Sequence, residues 1–268
     1  EIYTLSLHDA LPIYELSDKV AVITGAGGRM GTAIAAKFLQ EGALLVLVDL
    51  TSEIAQHTAD SIGIPSGNCI CLGADVADEE SVKSTVNTIL NRFGHIDALV
   101  NLAGISGPSA RTEDYTFEDA KKVFSVNVFG TFLMMKNVLP VMQDQHSGAI
   151  INFGSVSGMF GYPYEIAYGA SKAAVIFMTK NAANENGGNG VRINSISPGW
   201  VNTAMMKSIL ESYKDVGIKD SYDNVTLGPM NRPAEPEEIA NVVFFMCSSE
   251  ASYVNGSNWL VDGGMTLG

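Results

Sequence analysis

The sequence predicts a doubly wound α/β fold, in which a parallel sheet of about seven strands carries helices on both faces. Short runs rich in β-branched and aliphatic residues alternate along the chain with longer runs that have the apolar spacing of a helix. The short runs are apolar at nearly every position, as expected for parallel strands that are covered on both faces. No linker-like stretch interrupts the alternation, so we expect one domain.

Each strand of the predicted sheet corresponds to one short apolar run. In chain order the runs are KVAVIT (19–24), LLVLVD (44–49), NCICLGAD (68–75), IDALVN (96–101), GAIINF (148–153), VRINSIS (191–197) and NWLVDGG (258–264), the last as an edge strand. Stretches with helical spacing lie between them, such as MGTAIAAKFLQEG (30–42) and SVKSTVNTILNRFG (81–94). Strand and helix therefore follow one another as βαβ units, and the strands are expected to run parallel.

The first 13 residues, EIYTLSLHDALPI, stand outside this pattern because they have no clear strand or helix period. We expect residues 1–13 to be a non-native N-terminal segment and residues 14–268 to form the domain.

The composition excludes several kinds of partner. The formal net charge is -13 and the basic residues form no stripe, which argues against nucleic acid or an anionic membrane surface. No apolar run reaches the roughly 18 residues of a membrane span. Cys69, Cys71 and Cys247 form no CxxC pair or disulfide framework, so we expect buried thiols in a reducing compartment, the cytoplasm, and no metal site. A small soluble molecule is the expected ligand.

A glycine-rich segment, TGAGGRMG (24–31), joins the first predicted strand to the first predicted helix. Backbone N–H groups and the positive end of the helix dipole face outward at such a turn and favour a phosphate, which side chains would hold away. The turn predicts a dinucleotide pyrophosphate site, although glycine-rich turns without a ligand are also common. The residues expected to contact the pyrophosphate are Gly25, Gly28, Arg29, Met30 and Gly31.

Asp49 ends the second predicted strand, 24 residues after Gly25. This is close to the spacing at which an acidic residue accepts hydrogen bonds from the adenosine ribose hydroxyls. A carboxylate there repels the 2′-phosphate of NADP, and residues 50–56 contain no Lys or Arg to receive that phosphate. The sequence therefore predicts NAD as the cofactor in preference to NADP.

The third and fourth predicted strands add two further cofactor contacts. Asp75 and Val76 are expected at the carboxyl end of the third strand, where a polar and an apolar side chain could flank the adenine. The fourth strand ends in NLAG, in which Asn101, Ala103 and Gly104 would let the cofactor pass closely. Each segment alone could also be an ordinary transition from strand to loop.

The segment AYGASK carries candidate proton-transfer chemistry. Tyr168 and Lys172 are four residues apart in a helical pattern, so both project from one helix face. An ammonium beside a phenol stabilises the phenolate, lowers the pKa of the phenol and lets it exchange a proton with an alcohol or carbonyl. Thirteen residues upstream, Ser155 follows the fifth strand at the carboxyl edge of the sheet, where doubly wound folds bind ligands. Taken alone, the Tyr–Lys pair could equally be a packed ring beside a solvated tip.

Together these motifs resemble the short-chain dehydrogenase/reductase family, in its subclass of roughly 250-residue single-domain enzymes with a Rossmann-type fold. The resemblance covers about residues 15–268 and implies a catalytic tetrad of Asn127, Ser155, Tyr168 and Lys172. It implies that Tyr168 is the general acid/base and that Ser155 holds the substrate oxygen. Lys172 would lower the pKa of Tyr168 and bind the nicotinamide ribose, and Asn127 would hold a water that links Lys172 to solvent.

The resemblance extends to the C-terminal part of the chain. SPGWVNT matches the family's loop after the sixth strand, and EPEEIA and VNGSNWLVDGG match its last helix and strand. It implies that Pro198, Gly199, Val201 and Thr203 lie along the nicotinamide, and that the enzyme is a homotetramer.

Two positions depart from the family pattern. Arg29 stands where the subclass has a glycine, so the glycines of the turn are spaced as in the longer-chained subclass. The turn tolerates Arg29 if its side chain turns outward or reaches over the pyrophosphate. A basic residue there also leaves room for NADP. Leu102 replaces a common Asn, a mild change because Asn101, Ala103 and Gly104 remain.

The substrate is marked only by a segment that resembles the family's mobile lid, at about residues 202–230. Met205, Met206, Ile209, Leu210 and Tyr213 recur there at helical spacing, which could equally mark a helix packed on the core. Phe160, Tyr162 and Tyr164 are expected to line the same pocket. An apolar, aromatic pocket without an Arg clamp suits a neutral secondary alcohol or ketone that is cyclic, polyol-derived or steroid-like.

The sequence thus predicts an NAD-dependent alcohol dehydrogenase/ketone reductase that uses Tyr168 as general acid/base. One alternative is an NADPH-dependent carbonyl or 3-oxoacyl reductase on the same scaffold. An alternative of another class is a non-catalytic dinucleotide-binding sensor, against which the intact tetrad speaks.

Overall fold

The computed structural model of the protein describes residues 15–65, 67–217 and 227–267. Within these residues, seven strands form one parallel sheet in the order β3-β2-β1-β4-β5-β6-β7, which confirms the predicted fold class. The strands are β1 (Val20–Thr24), β2 (Leu44–Asp49), β3 (Cys69–Gly73), β4 (Ala98–Asn101), β5 (Gly148–Phe153), β6 (Val191–Pro198) and β7 (Asn258–Val261). The predicted non-native segment, residues 1–13, lies outside the described residues, as do residues 218–226 of the predicted lid.

Helices connect the strands and cover the sheet. They are α1 (Arg29–Gln40), α2 (Ser52–Ser61), α3 (Glu79–Phe93), α4 (Phe117–Phe124), α5 (Thr131–Gln145), α6 (Ile166–Asn186), α7 (Ala204–Asp215) and α8 (Pro236–Cys247). A π-helical turn, Ser125–Gly130, joins α4 to α5 without a break. Local sequence sets the ends: Asp78 caps α3 by accepting a hydrogen bond from the Ser81 N–H, and Gly94 ends it in the left-handed conformation.

Two strands end before their predicted apolar runs do. The third strand ends at Gly73, so Asp75 lies in the loop that follows and not in the strand. The seventh ends at Val261, because Gly263 and Gly264 adopt positive φ angles of 63° and 81° and turn the chain away.

Side chains of alternate strand residues enter two apolar layers, one on each face of the sheet. In β1, Ala21 and Ile23 pack into the layer that contains residues of α1 and α8, while Val20 and Val22 pack into the layer that contains residues of α3 and α5. All five β1 residues are buried. The continuous apolar composition of the strands therefore reflects burial on both faces, as predicted.

The strand order places the carboxyl ends of four strands around one crevice. The chain moves outward from β1 through β2 to β3 on one side and from β4 to β7 on the other, so the order reverses between β1 and β4. Ligands of doubly wound sheets bind outside the carboxyl ends of the strands at such a reversal.

One helical stretch, Phe117–Gln145, is long and apolar enough to cross a membrane by length and composition alone. Half of its most apolar window is buried inside the protein, where α5 packs against α3 and α6. It is therefore a core helix of the kind found in soluble proteins.

The sequence also led us to expect buried thiols and no metal site. The described residues contain no group of three or more His, Cys, Asp or Glu side chains that could hold a metal ion. The three cysteines are free and only partly buried, with 3.8 Å between the Sγ atoms of Cys69 and Cys71 on β3. Burial raises the pKa of the Cys69 thiol to about 12.

Candidate active site

The glycine turn after β1 is so tight that a side chain at two of its glycines would collide with backbone atoms. Gly25 has a φ of 67°, and a Cβ there would lie 2.9 Å from Ala103 Cα. A Cβ on Gly31 would lie 2.6 Å from Gly25 O. Gly28 is different, since a Cβ would meet nothing closer than 3.7 Å. Packing thus requires Gly25 and Gly31 to lack a side chain, whereas the space beside the Gly28 backbone is open.

The start of α1 has the properties of an anion site. Gly28 precedes the helix without a side-chain cap, and no acidic residue lies in the first turn. The first N–H groups of a helix have no partner inside it, so those of Arg29 and Met30 are free to bind an anion such as a phosphate. The residues present therefore fit a dinucleotide pyrophosphate.

The Arg29 side chain reaches from the glycine turn to the loop after β6. Its Nη1 donates a hydrogen bond of 2.6 Å to Asn202 O, and its Nη2 lies 3.7 Å from Glu235 Oε2. Asn202 Nδ2 also donates to Glu235 Oε1 at 3.0 Å.

Asp49 lies beside the glycine turn at the end of β2. Its Oδ2 accepts a hydrogen bond of 2.8 Å from the Gly27 N–H, and its Oδ1 accepts one of 2.8 Å from the Leu50 N–H. These bonds fix the carboxylate at the edge of the turn. Farther along this edge, Asp75 is exposed and Val76 is buried.

The end of β4 leads from the glycine turn into the predicted tetrad. The Leu102 and Ala103 N–H groups both donate to Thr24 Oγ1, at 3.2 Å each. Asn101 is buried, and its Nδ2 donates to Asn152 Oδ1 at 2.9 Å. The Asn101 Oδ1 has no hydrogen-bond partner among the described residues.

Gly104 directly adjoins two tetrad side chains. A Cβ there would lie 3.1 Å from Asn127 Oδ1 and 3.4 Å from Lys172 Nζ. The absence of a side chain at Gly104 thus lets the β4 loop pass beside the tetrad.

Asn127 projects from the π-helical turn between α4 and α5. Its Oδ1 accepts a hydrogen bond of 2.8 Å from the Ile105 N–H, and its Nδ2 donates to Ile105 O and to Ser171 Oγ at 2.9 Å each. π-Helical turns occur frequently at functional sites. The buried Asn127 side chain therefore fixes the loop after β4 against α6.

Ser155 and Tyr168 approach each other from β5 and α6. Ser155 has an extended backbone, and its Oγ accepts a hydrogen bond of 3.2 Å from the Ser157 N–H. Burial raises the pKa of Tyr168 to about 12, hydrogen bonding to Ser155 opposes this rise, and the Glu165 charge adds to it.

Lys172 lies one turn after Tyr168 on α6 and is buried. Its Nζ donates a hydrogen bond of 2.7 Å to Phe153 O and lies 5.8 Å from the centroid of the Tyr168 ring. Burial lowers the pKa of Lys172 to about 8. Burial dominates the pKa of Tyr168 and raises it overall, and the lowering effect of Lys172 stays a prediction.

The loop after β6 forms the opposite wall. Gly199 is pressed against the turn after β7, since a Cβ there would lie 3.0 Å from Asp262 Cα. Val201 forms a bridge to Ala234, and Thr203 caps α7 by accepting a hydrogen bond of 3.3 Å from the Met206 N–H.

These elements enclose a single cleft that connects the glycine turn, the tetrad and α7. The predicted site residues that line it are Met30, Gly104, Ser155, Tyr168, Lys172, Pro198, Gly199, Val201 and Thr203. Other lining residues include Leu102, Tyr162, Glu165, Trp200, Met205, Met206, Ile209 and Met265. The structure thus brings together, in one cleft, predicted site residues from five separate segments of the sequence.

Comparisons with known proteins agree with this architecture. A family model described as enoyl-(acyl carrier protein) reductase matches residues 25–266. Levodione reductase of Leifsonia aquatica is 36% identical over 258 residues, which are 95% of this chain and 97% of that protein. The chain belongs to the short-chain dehydrogenase/reductase family.

Solved structures of the family superimpose closely. Levodione reductase gives a TM-score of 0.90 at 37% identity, covering 94% of this chain and 99% of that one. NAD+-bound xylitol dehydrogenase gives 0.86 at 32% identity, covering 93% and 99%. ElxO with NADP bound gives 0.85 at 29% identity, covering 94% and 100%. As a member of the family, the chain is an NAD(P)-dependent alcohol dehydrogenase/ketone reductase.

Two predictions about the residues that line the substrate pocket need correction. Phe160 and Tyr164 do not line the main cleft but a neighbouring surface depression. Tyr164 also adopts a positive φ of 69°. Of the apolar residues on α7, Leu210 packs inside the protein and does not line the cleft. Tyr162 does line it, as predicted.

Sequence reasoning missed Glu165, which is the acidic side chain that lines the cleft. A signal was present, because Glu165, Tyr168 and Lys172 follow the i, i+3, i+7 spacing of one helix face.

Proposed function

We propose that the protein is an NAD-dependent oxidoreductase that interconverts a neutral secondary alcohol and its ketone, with Tyr168 as general acid/base. The observation that carries the proposal is the cleft itself. It joins Ser155 and Tyr168 to Met30 in the glycine turn, so a proton-transfer group and an anion site open into one space.

The proposed mechanism assigns a task to each tetrad side chain. A bound nicotinamide dinucleotide supplies the hydride acceptor in oxidation and the hydride donor in reduction. Ser155 holds the substrate oxygen, and Tyr168 takes the hydroxyl proton during oxidation or returns it during reduction. Lys172 places a buried positive charge 5.8 Å from the Tyr168 ring, which favours the phenolate. Asn127 holds a water that connects Lys172 to solvent.

The preference for NAD over NADP rests on Asp49. Its carboxylate is fixed beside the glycine turn by the N–H groups of Gly27 and Leu50. That position suits an acceptor for ribose hydroxyls and repels a 2′-phosphate. The remaining dinucleotide contacts proposed are Gly25, Gly28, Arg29, Gly31, Asp75, Val76, Asn101, Ala103 and Gly104 along the crevice, and Pro198, Gly199, Val201 and Thr203 along the nicotinamide.

The lining of the cleft supports a neutral substrate. Met205, Met206 and Ile209 of α7 supply apolar surface opposite Tyr168 and Ser155. Lys172 is bound to Phe153 O, and no Arg of the described chain lines the cleft. A secondary alcohol or ketone that is cyclic, polyol-derived or steroid-like suits this surface better than a carboxylate does.

Two other functions remain as alternatives with distinct consequences. An NADPH-dependent carbonyl or 3-oxoacyl reductase would use Arg29, which is half exposed at the glycine turn and could leave Asn202 for a phosphate. A non-catalytic dinucleotide sensor would have no use for a buried Lys172 beside Tyr168, which burial makes costly.

A substrate screen tests the proposal. Secondary alcohols and ketones are offered with NAD(H) and with NADP(H), and the absorbance of the reduced nicotinamide is followed. We expect turnover of neutral alcohols and a higher kcat/KM with NAD. Turnover only with NADPH would favour the reductase alternative, and tight NAD binding without turnover of any compound would favour the sensor.

We also propose that the enzyme is a cytoplasmic homotetramer. Three large apolar side chains are each about half exposed or more: Phe129 in the π-helical turn, Phe132 at the start of α5 and Phe177 on α6. Exposed apolar patches of this kind mark protein interaction sites. Light scattering coupled to size exclusion would give about four times the chain mass of 28.5 kDa, and a monomer would contradict the proposal.

A further inference from the structure

Glu165 places an acidic group next to the reacting atoms. It immediately precedes α6, three residues before Tyr168, so the two side chains lie on the same helix face. Both side chains line the cleft, together with Ser155 and Tyr162. A carboxylate so close to the proton-transfer group reaches the part of the substrate adjacent to the reacting carbon.

Both oxygens of Glu165 are held in defined positions. Oε1 accepts a hydrogen bond of 2.8 Å from Tyr213 Oη on α7, and Oε2 accepts one of 2.7 Å from Ser157 Oγ. The Tyr213 ring also packs against Tyr164, with 6.4 Å between centroids. A carboxylate has about four acceptor sites, so two remain after these bonds.

The charge of Glu165 is not neutralised by a neighbouring cation. Within the residues that the structure describes, no Lys, Arg or His forms an ion pair with it, and Lys172 is bound to Phe153 O. Its negative charge contributes to raising the pKa of Tyr162, Tyr168 and Tyr213, so the carboxylate faces all three phenols. A substrate hydroxyl can donate to such an acceptor, whereas an anionic group is repelled.

We propose that Glu165 selects substrates that carry a second hydroxyl beside the reacting carbinol, namely vicinal diols and α-hydroxyketones. Its free acceptor sites bind that hydroxyl, while its bond to Tyr213 keeps α7 in place over the cleft. The inference rests on the proposed function and names the substrate class for the same site.

Pairs of a diol and the matching monoalcohol test the selectivity proposed for Glu165 in the whole chain. The substrates are butane-2,3-diol against butan-2-ol, and cyclohexane-1,2-diol against cyclohexanol, and the quantity is the ratio of kcat/KM for diol to kcat/KM for monoalcohol. We expect the wild type to prefer the diols. Glu165→Leu should lower the ratio by about 10- to 100-fold, because it removes a hydrogen bond to a charged group.

Two further variants separate substrate binding from positioning of α7. Tyr213→Phe removes the bond between α7 and Glu165 but keeps the carboxylate, so it should lower kcat/KM for diol and monoalcohol alike and leave the ratio unchanged. Glu165→Gln keeps an acceptor oxygen without its charge, and should retain part of the preference, with a fall of about 3- to 10-fold. If Glu165→Leu has a lowered melting temperature, its ratio could reflect damage to the fold. The ratio measured for Glu165→Gln then decides whether Glu165 binds the second hydroxyl.

The outcomes distinguish the inference from the function on which it rests. Turnover of diols and monoalcohols with a ratio that Glu165→Leu or Glu165→Gln does not change would overturn the inference and leave the proposed function intact. A ratio that falls as much in Tyr213→Phe would also overturn it, because the effect would then belong to α7. Absence of turnover for all four compounds and for the wider screen would overturn the proposed function itself.

Discussion

The Nη1 atom of Arg29 lies 2.6 Å from the carbonyl oxygen of Asn202, which ties the turn after β1 to the residues that lead into α7. The ion pair of Arg29 with Glu235 is longer, at 3.7 Å, and both side chains are about half exposed. Water screens such a pair, so it stabilises the fold only weakly.

Replacing Arg29 should therefore have a small effect. We expect Arg29→Ala to lower the free energy of unfolding by about 0.5–1 kcal/mol in urea titrations, and to leave the KM for NAD close to that of the wild type. Arg111→Ala, which breaks an exposed pair with Glu113, is the matched control. A large rise in KM for NAD would mean that Arg29 leaves Asn202 and binds the pyrophosphate.

Asp49 should control the choice of cofactor. We expect Asp49→Ser to lower the ratio of kcat/KM for NAD to that for NADP by at least about 10-fold, since a like charge beside the 2′-phosphate is removed. Asp60→Ser on α2 makes the same charge change away from the turn and should leave the ratio unaltered. Equal ratios in the wild type and Asp49→Ser would contradict the assignment.

Tyr168→Phe should nearly abolish turnover while NAD affinity stays close to wild type. General acid/base groups contribute about 10²–10⁴-fold in rate, and only the hydroxyl is removed. Steady-state rates and NAD titrations by tryptophan fluorescence measure the two quantities, with the exposed Tyr253→Phe as the control. Activity above about a tenth of wild type would mean that another group transfers the proton.

The two directions of the reaction should differ in their dependence on pH. Burial raises the pKa of Tyr168 to about 12, so the phenol keeps its proton at neutral pH and can serve as the acid in ketone reduction. Alcohol oxidation needs the phenolate, and its rate should rise as the solution becomes alkaline. Initial rates of both directions between pH 6 and about 10 test this, and an oxidation rate that falls with pH would contradict it.

Lys172 should also leave a signature in the stability of the protein. Burial lowers its pKa from 10.5 to about 8, so the unfolded chain binds more protons between these values, and the Lys172 contribution to stability rises with pH across that window. Below pH 8 the buried charge costs about 3 kcal/mol. Lys172→Met should be inactive and should lack this rise, which denaturant titrations of both proteins at pH 7 and 10 would detect. If the free energy of unfolding changed with pH in the same way in the wild type and in Lys172→Met, the lowered pKa assigned to Lys172 would be wrong.

The sequence predicted those features that a parallel sheet determines by itself. Because parallel strands end at one edge, Gly25, Asn101, Ser155 and Pro198 had to meet there, whatever the intervening loops did. The i, i+4 spacing likewise placed Tyr168 and Lys172 on one face of α6. The roles of these residues stay predictions until the variants are measured.

Features that depend on contacts between distant segments were not predictable. The bond between Glu165 and Tyr213 joins residues 48 positions apart, and nothing local in either segment marks it. Tyr164 adopts a positive φ although it is not a glycine, and side-chain polarity does not reveal such a conformation. The pKa of Tyr168 could not be anticipated, because it depends on how fully the ring is buried.

The π-helical turn that carries Asn127 makes the site sensitive to chain length. A π turn contains one residue more than the α-helical turn it replaces, and each residue of a helix rotates the next by about 100°. Deleting a single residue between Ser125 and Gly130 would restore a regular helix from α4 through α5 and rotate Asn127 away from the Ile105 backbone that it binds at both N–H and carbonyl. Relatives with an insertion or deletion here would therefore lose this contact even with the asparagine retained, and alignments of the family should be read for gaps at this turn as well as for residue identity.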